Sequence, residues 1–242
     1  MVIMSSKTIS ENIEEYLEVL YKFGSKTDFV STTTLSKELG IAPGSVTQML
    51  KKLENLGYIN YTPYKGALLT DEGMKVSQKV TRKHRILERF LKDVLKIKEE
   101  NVHAQACEME HSLSDEAERA LCHMLDYPDV CPDNHLIPAC DFDFYNCDAC
   151  KNNTGDIEEI GIRSSNLLSI SQLKENEFGE VLFIRGNASS FAKILSIGIA
   201  IGNKIQMRSS DISYDMLNID LEGNLIEIDK SLANNIFVKV NE

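Results

Sequence analysis

Tryptophan is absent from this chain, and all aromatic residues together make up 7% of its 242 positions. The cores must therefore be filled largely by aliphatic side chains. No apolar run approaches the roughly 20 residues that a membrane-spanning helix needs, so no membrane partner is expected. Met1 to Ser10 lacks a basic stretch followed by an apolar one, which gives no reading of a secretion signal and points to the cytoplasm. Proline (5) and glycine (13) are too scarce for a collagen-like or low-complexity chain. Positive charge is also in deficit, with a net charge of −11. In a reducing compartment the six cysteines are more plausible as thiols or metal ligands than as disulfides. The sequence shows no paired general acid and base beyond its metal-ligand types, so neither an enzyme nor a small-molecule substrate is expected.

The hydrophobic fraction of 43% is ordinary for a globular protein, and the length suggests two or three compact units. Charge is distributed unevenly. Residues 1–98 carry 16 Lys+Arg against 11 Asp+Glu, and the remainder carries 10 against 26. That asymmetry suggests a basic working end followed by an acidic body. A basic run from Lys75 to Lys98 supplies much of the positive charge, and it could equally be a solvated helix face.

Apolar spacing predicts a helix from Ser10 through Tyr21, with Ser10 as N-cap. A second helix is expected over Thr33–Leu39, ending at Gly40, and a third over Ser45–Leu56, with Val46, Met49, Leu50 and Leu53 inward. Tyr58–Tyr61 and Ala67–Thr70 alternate as two strands around Pro63-Tyr64-Lys65-Gly66. Three helices and a two-stranded ribbon in this order make a winged helix-turn-helix. A long amphipathic helix follows over Gly73–Lys96, then helices over Glu99–Leu113 and Ser114–Leu125. Periodicity breaks over Tyr127–Asn153, and Asn152–Arg163 has the composition of a linker. From Ser165 the pattern becomes β, interrupted by a helix over Ser189–Ile197, as in a small antiparallel barrel. The expected fold class is α+β, with domains at residues 1–73, 74–151 and 165–242 and a linker at 152–164.

Two stripes of ligand-type residues stand out. His84 and Glu88 lie at i, i+4. His103, Cys107 and His111 follow as successive i, i+4 steps, with Glu110 three residues after Cys107. On a helix of 3.6 residues per turn these positions share one face. Imidazole, carboxylate and thiolate together suit a divalent transition ion better than calcium or magnesium. A lone His–Glu pair is more often a solvated surface pair, and a lone Cys more often a small core residue. Four further cysteines, Cys131, Cys140, Cys147 and Cys150, follow as C-x8-C-x6-C-x2-C. They suggest tetrahedral zinc or an iron–sulfur cluster, the alternative being a set of loop thiols. Cys122 is expected in the core and His123 at an exposed or capping position.

Arg82-Lys83-His84-Arg85 with Glu88, and the run Val102-His103 through Glu110-His111-Ser112-Leu113-Ser114-Asp115-Glu116, resemble the diphtheria toxin repressor family of iron- and manganese-dependent transcriptional repressors. The resemblance covers essentially the whole chain. It implies a winged helix, a helical metal-binding and dimerisation domain, and an SH3-like domain similar to that of ferrous-transport accessory proteins. It assigns His84, Glu88 and His103 to an ancillary metal site. Cys107, Glu110, His111 and Glu15 fall to the activating site, with Glu18 as a further candidate. Cys107 leans towards Fe(II), whereas Glu15 and Glu18 lean towards Mn(II). The Glu and Gln that some relatives contribute from the last domain correspond here to Asn187 and Ser190, which are weaker ligands. The implied partners are a second copy of the chain, forming a homodimer, and double-stranded DNA with a palindromic operator. For base and phosphate contact the candidates are Pro43, Gly44, Ser45, Thr47, Gln48, Lys51, Lys52 and the wing residue Lys65. A regulator using the four-cysteine loop for redox or iron–sulfur sensing is the other reading.

Overall fold

The computed structural model describes residues 9–24, 28–153, 155, 161–211 and 215–240. The chain separates into two compact units, Met1–Thr81 and Arg82–Glu242.

In the first unit, α1 (Glu11–Phe23), α2 (Thr32–Leu39) and α3 (Pro43–Asn55) precede a hairpin of β1 (Ile59–Thr62) and β2 (Gly66–Leu69), and α4 begins at Asp71. Ser10 holds the N-cap position of α1 in extended conformation, but its side chain makes no capping hydrogen bond, contrary to expectation. Ser31 does cap α2, accepting from the Thr34 amide at 3.0 Å. Gly40 ends α2 in the left-handed region, and Pro43 opens α3, where a missing N–H leaves nothing unpaired. Ile13, Leu17, Leu20, Leu35, Val46, Leu50 and Leu53 converge in one aliphatic core, with Met49 packed at its edge. The hairpin is bound to the chain before α2 by reciprocal backbone hydrogen bonds of 2.9 Å between Val30 and Ala67. Gly66 is obligatory there, because its φ is +119° and a Cβ would fall 2.0 Å from the Val30 carbonyl oxygen.

The second unit starts within α4 (Asp71–Arg89), which runs into a π-helical turn at Phe90–Val94 and not straight on to Lys96. Lys96, at φ +56°, closes that turn. Next come α5 (Glu99–Glu110), α6 (Asp115–Met124), capped by Ser114 at 3.1 Å from the Ala117 amide, and a short α7 (Cys147–Asn152) inside the stretch expected to be irregular. The basic run is largely committed to internal contacts. Arg82 pairs with Glu118 at 2.6 Å with both side chains at 5% exposure or less. Lys83 donates to the Leu113 carbonyl and sits 3.0 Å from Asp115. Arg85 donates to the Leu136 carbonyl.

The sheet follows as β3 (Leu168–Ser169), β4 (Phe178–Ile184), β5 (Lys204–Asp211), β6 (Met216–Leu221), β7 (Asn224–Asp229) and β8 (Ile236–Val240), in spatial order β3-β8-β4-β5-β6-β7 with antiparallel pairings. Helices α8 (Ala188–Ser196) and α9 (Lys230–Ala233) lie between strands in sequence. The core of this part is aliphatic, built on Val181, Ile184, Ile194, Ile199, Ile205 and Ile219. A second cluster joins sheet and helices: Ile86 of α4 and Cys122 of α6 share it with Tyr127, Ile137, Cys147, Leu167, Phe183 and Phe237. Much of the expected linker lies outside the described residues. Its end, Ile162–Arg163, pairs back on the preceding loop through a Phe142–Ile162 bridge and the Arg163 amide to the Asp141 carbonyl at 2.7 Å.

Candidate metal centre and nucleic-acid interface

α4 presents His84 and Glu88, α5 presents His103, Cys107 and Glu110, and His111 occupies the C-cap position of α5. Expected as two sites, these residues form one connected network. His84 Nδ1 lies 2.5 Å from Glu110 Oε2, and its Nε2 lies 3.0 Å from Glu88 Oε1 and 3.1 Å from His103 Nδ1. Glu88 Oε1 is 3.2 Å from His103 Nδ1, and His111 Nε2 is 3.4 Å from Glu110 Oε1. Cys107 Sγ stands 3.9 Å from His84 and 3.8 Å from His103. Ligand atoms of His84, His103 and Cys107 all fall within 4.8 Å of one another.

The electrostatics follow from that packing. Burial works to raise the pKa of Glu88, but hydrogen bonds from His103 and His84 outweigh it and hold the carboxyl well below its usual range. The His103 imidazole is raised by hydrogen bonds to Cys107 and Glu88. Those from His103 and His84 lower the Cys107 thiol. These hydrogen bonds join imidazole, carboxylate and thiol in one polar cluster. The donor set fits a divalent transition ion, because such an ion accepts all three ligand types.

The four-cysteine reading needs correction in its membership. Cys131 is buried against Glu88, with Sγ 4.0 Å from His135 Nδ1, and does not join the others. Cys140, Cys147 and Cys150 instead line a cavity of about 20 Å³ together with Cys122, which is in the core as expected, and His123, which is half-buried. His123 Nε2 is 3.5 Å from Cys150 Sγ. Burial, then proximity to Cys140, pushes the Cys147 thiol up to about 12. Burial likewise raises Cys140 and Cys150. Asn187 and Ser190 are engaged locally: the Asn187 side chain caps α8, accepting from the Ser189 and Ser190 amides at 3.1 Å.

In the first unit, Pro43, Gly44, Ser45, Gln48, Lys51 and Lys52 are exposed along α3. Ser45, Gln48 and Lys52 line one open groove of about 360 Å³ with Asn12, Tyr16, Ile41 and Met49. Thr47 is half-buried and returns its hydroxyl to the Pro43 carbonyl at 2.9 Å, which leaves it less free to read a base than Gln48. Lys65 stacks over Phe29 at 5.8 Å. Tyr64, missed in the sequence, sits fully exposed at the wing tip with φ +65°. The turn Pro63-Tyr64-Lys65-Gly66 was the signal that could have shown it. On α1, Glu15 is exposed, while Ile13, Tyr16, Leu17 and Leu20 face the core.

Comparison with known proteins gives this geometry a context. Residues 8–67 match the family described as the iron-dependent repressor N-terminal DNA-binding domain. Residues 70–139 match the iron-dependent repressor metal-binding and dimerisation domain, and residues 168–240 match the FeoA domain. A transcriptional regulator of the helix-turn-helix type from Methanocaldococcus jannaschii is 43% identical over 109 residues, 45% of this chain and 87% of its own length. The diphtheria toxin repressor of Corynebacterium efficiens is 25% identical over 233 residues, 96% of this chain and 97% of its own. The regulator MntR of Geobacillus kaustophilus is 32% identical over 103 residues, 43% of this chain and 72% of its own. These relatives carry the names of regulators and repressors, not of enzymes. With its winged helix, clustered metal ligands and FeoA-type sheet, the chain belongs to the diphtheria toxin repressor family of metal-dependent transcriptional repressors.

Proposed function

We propose that this protein is a cytoplasmic, homodimeric repressor of metal homeostasis that holds a palindromic operator when Fe(II) or Mn(II) is abundant. The observation that supports it most is the single network linking His84, Glu88, His103, Cys107, Glu110 and His111. When bound, a divalent ion supplies two positive charges among these imidazole, carboxylate and thiolate groups. His84, Glu88 and His103 serve as one ligand set, and Cys107, Glu110 and His111 as a second that Glu15 completes, with Glu18 in reserve. Glu88 and Glu110, both buried, hold the imidazoles in orientation through hydrogen bonds to their ring nitrogens. The thiolate of Cys107 favours Fe(II), with Mn(II) close behind because the carboxylates of Glu15 and Glu18 are harder ligands. Metal-dependent repression then requires that the metal-bound form hold DNA better than the metal-free form. Gln48 is suited to adenine, Ser45 to bases or phosphates, and Lys51, Lys52 and Lys65 to phosphates.

Anaerobic footprinting on the DNA upstream of its own coding region tests this, with Fe(II), Mn(II), Zn(II) and chelator in parallel. Protection should appear with Fe(II) or Mn(II) and vanish with EDTA. Protection that persisted in EDTA, and in a triple alanine variant at Glu15, Glu110 and His111, would reject metal control.

A further inference from the structure

Outside the regulatory cluster, the second unit contains another concentration of metal-ligating side chains. Cys122 comes from α6, Cys140 from the following loop, and Cys147 and Cys150 from α7, and all four line one small cavity. We propose that Cys122, Cys140, Cys147 and Cys150 form a separate structural site for a single zinc ion in four-thiolate coordination.

Four independent features support an occupant of that kind. The cavity, at about 20 Å³, has room for one water-sized body, which suits a single ion. The Tyr127 hydroxyl is buried with no hydrogen-bond partner among the described residues, and because Tyr127 lines the cavity a metal-bound thiolate there would offer it an acceptor. The charge on the walls is positive. Arg185, 2% exposed, donates to the backbone carbonyls of Pro128, Asp129, Ile137 and Pro138 and stacks over the Phe237 ring at 4.6 Å, with no carboxylate partner among the described residues. Arg82, although paired with Glu118, also donates to Cys122 Sγ at 3.1 Å. Zinc with four thiolates carries a net double negative charge, which meets those buried guanidiniums. Finally, a backbone amide already addresses one sulfur: Gly186, just after β4, donates to Cys147 Sγ at 3.4 Å, the kind of support that orients a metal thiolate.

The sulfurs surround the cavity without yet being drawn together. Among the described residues, the sets of donor atoms that all lie within 4.8 Å of one another are elsewhere. Side-chain rotation of the cysteines is the adjustment the ion requires. His123, beside Cys150, stays as its hydrogen-bonding neighbour and not as a fifth ligand. The site ties α6, the irregular loop and α7 together next to the sheet, in a stretch with little regular secondary structure of its own. The prediction does not depend on how the protein binds DNA.

The full-length protein, purified anaerobically and dialysed against EDTA to empty the His84–His111 cluster, should retain one zinc per chain by elemental analysis. Replacement by cobalt(II) should give the intense visible bands and thiolate charge-transfer absorption of a tetrahedral four-sulfur site. Cys122→Ser and Cys150→Ser should lose the metal, whereas Cys131→Ser and Cys107→Ala should keep it. The cobalt spectrum of the unmutated chain is decisive even if a cysteine variant fails to fold. No retained metal, a six-coordinate cobalt spectrum, loss in Cys131→Ser with retention in Cys122→Ser, or stoichiometric iron with acid-labile sulfide would each overturn the proposal.

Discussion

Replacing Glu118 by Gln should destabilise the second unit severely. Glu118 is 1% exposed and accepts from Arg82 Nε at 2.6 Å, while the other Arg82 nitrogens donate to the Pro138 carbonyl and Cys122 Sγ. Burial pushes the Glu118 carboxyl up and Arg82 draws it down. With a permanently protonated guanidinium in contact, the carboxylate is the form that pairs. Glutamine keeps the shape and removes the charge, so the buried guanidinium loses its carboxylate partner. Breaking a buried pair from one side costs about 3–5 kcal/mol. At about 2–4 °C per kcal/mol for a domain of this size, the midpoint should fall by roughly 6–20 °C. Thermal and urea unfolding followed by circular dichroism read this directly. Asp220→Asn, which breaks the exposed pair with Arg208, is the control and should shift the midpoint little. The paired change Arg82→Met with Glu118→Leu should recover much of the loss, since a well-packed apolar pair substitutes for a buried ion pair. If Glu118→Gln behaved like Asp220→Asn, the electrostatic reasoning would be wrong.

Other consequences concern the DNA-binding face and the sheet. Gln48→Ala should relax sequence preference, by about 1–3 kcal/mol at one base pair, while Lys52→Ala should weaken all DNA alike and flatten the salt dependence by about one unit; identical behaviour of the two in titrations across salt would contradict their assignment. Gly66→Ala should distort the wing and lower the stability of the first unit, because its Cβ has no room beside Val30; a crystal structure of the variant with an unmoved hairpin would refute this. Hydrogen bonds from the Ser231 hydroxyl and the Leu232 amide hold the Asp229 carboxyl below its usual value, against some burial. A depressed carboxyl contributes stability above its unfolded pKa of about 4 and loses it as pH falls through the folded value. Acid titration of unfolding should therefore show a smaller loss in Asp229→Asn than in the unmutated chain.

The helices of the first unit were legible because their apolar residues recur at helical spacing and Gly40 and Pro43 punctuate them. The candidate ligand stripes were legible because i, i+4 steps survive folding: His84 with Glu88, and His103 with Cys107, need no knowledge of the rest of the chain. That the two stripes fuse into one network depends on α4 lying against α5, which spacing does not encode. The thiol cavity was misread for the same reason. Chain order grouped Cys131 with Cys140, whereas tertiary packing turns Cys131 towards Glu88 and brings Cys122 in from α6. Nor did periodicity show that Arg82 points inwards, since its partner Glu118 is 36 residues away.

The cluster shared by Ile86, Cys122, Phe183 and Phe237 has a consequence for how such chains can be recombined. A terminal sheet attached by a tether alone could be exchanged for another by simple fusion. Here a graft would have to reproduce two phenyl rings against one isoleucine in a distant helix. Shuffling of this module is thus constrained by the helices that precede it, and successful chimaeras should carry matched substitutions at position 86.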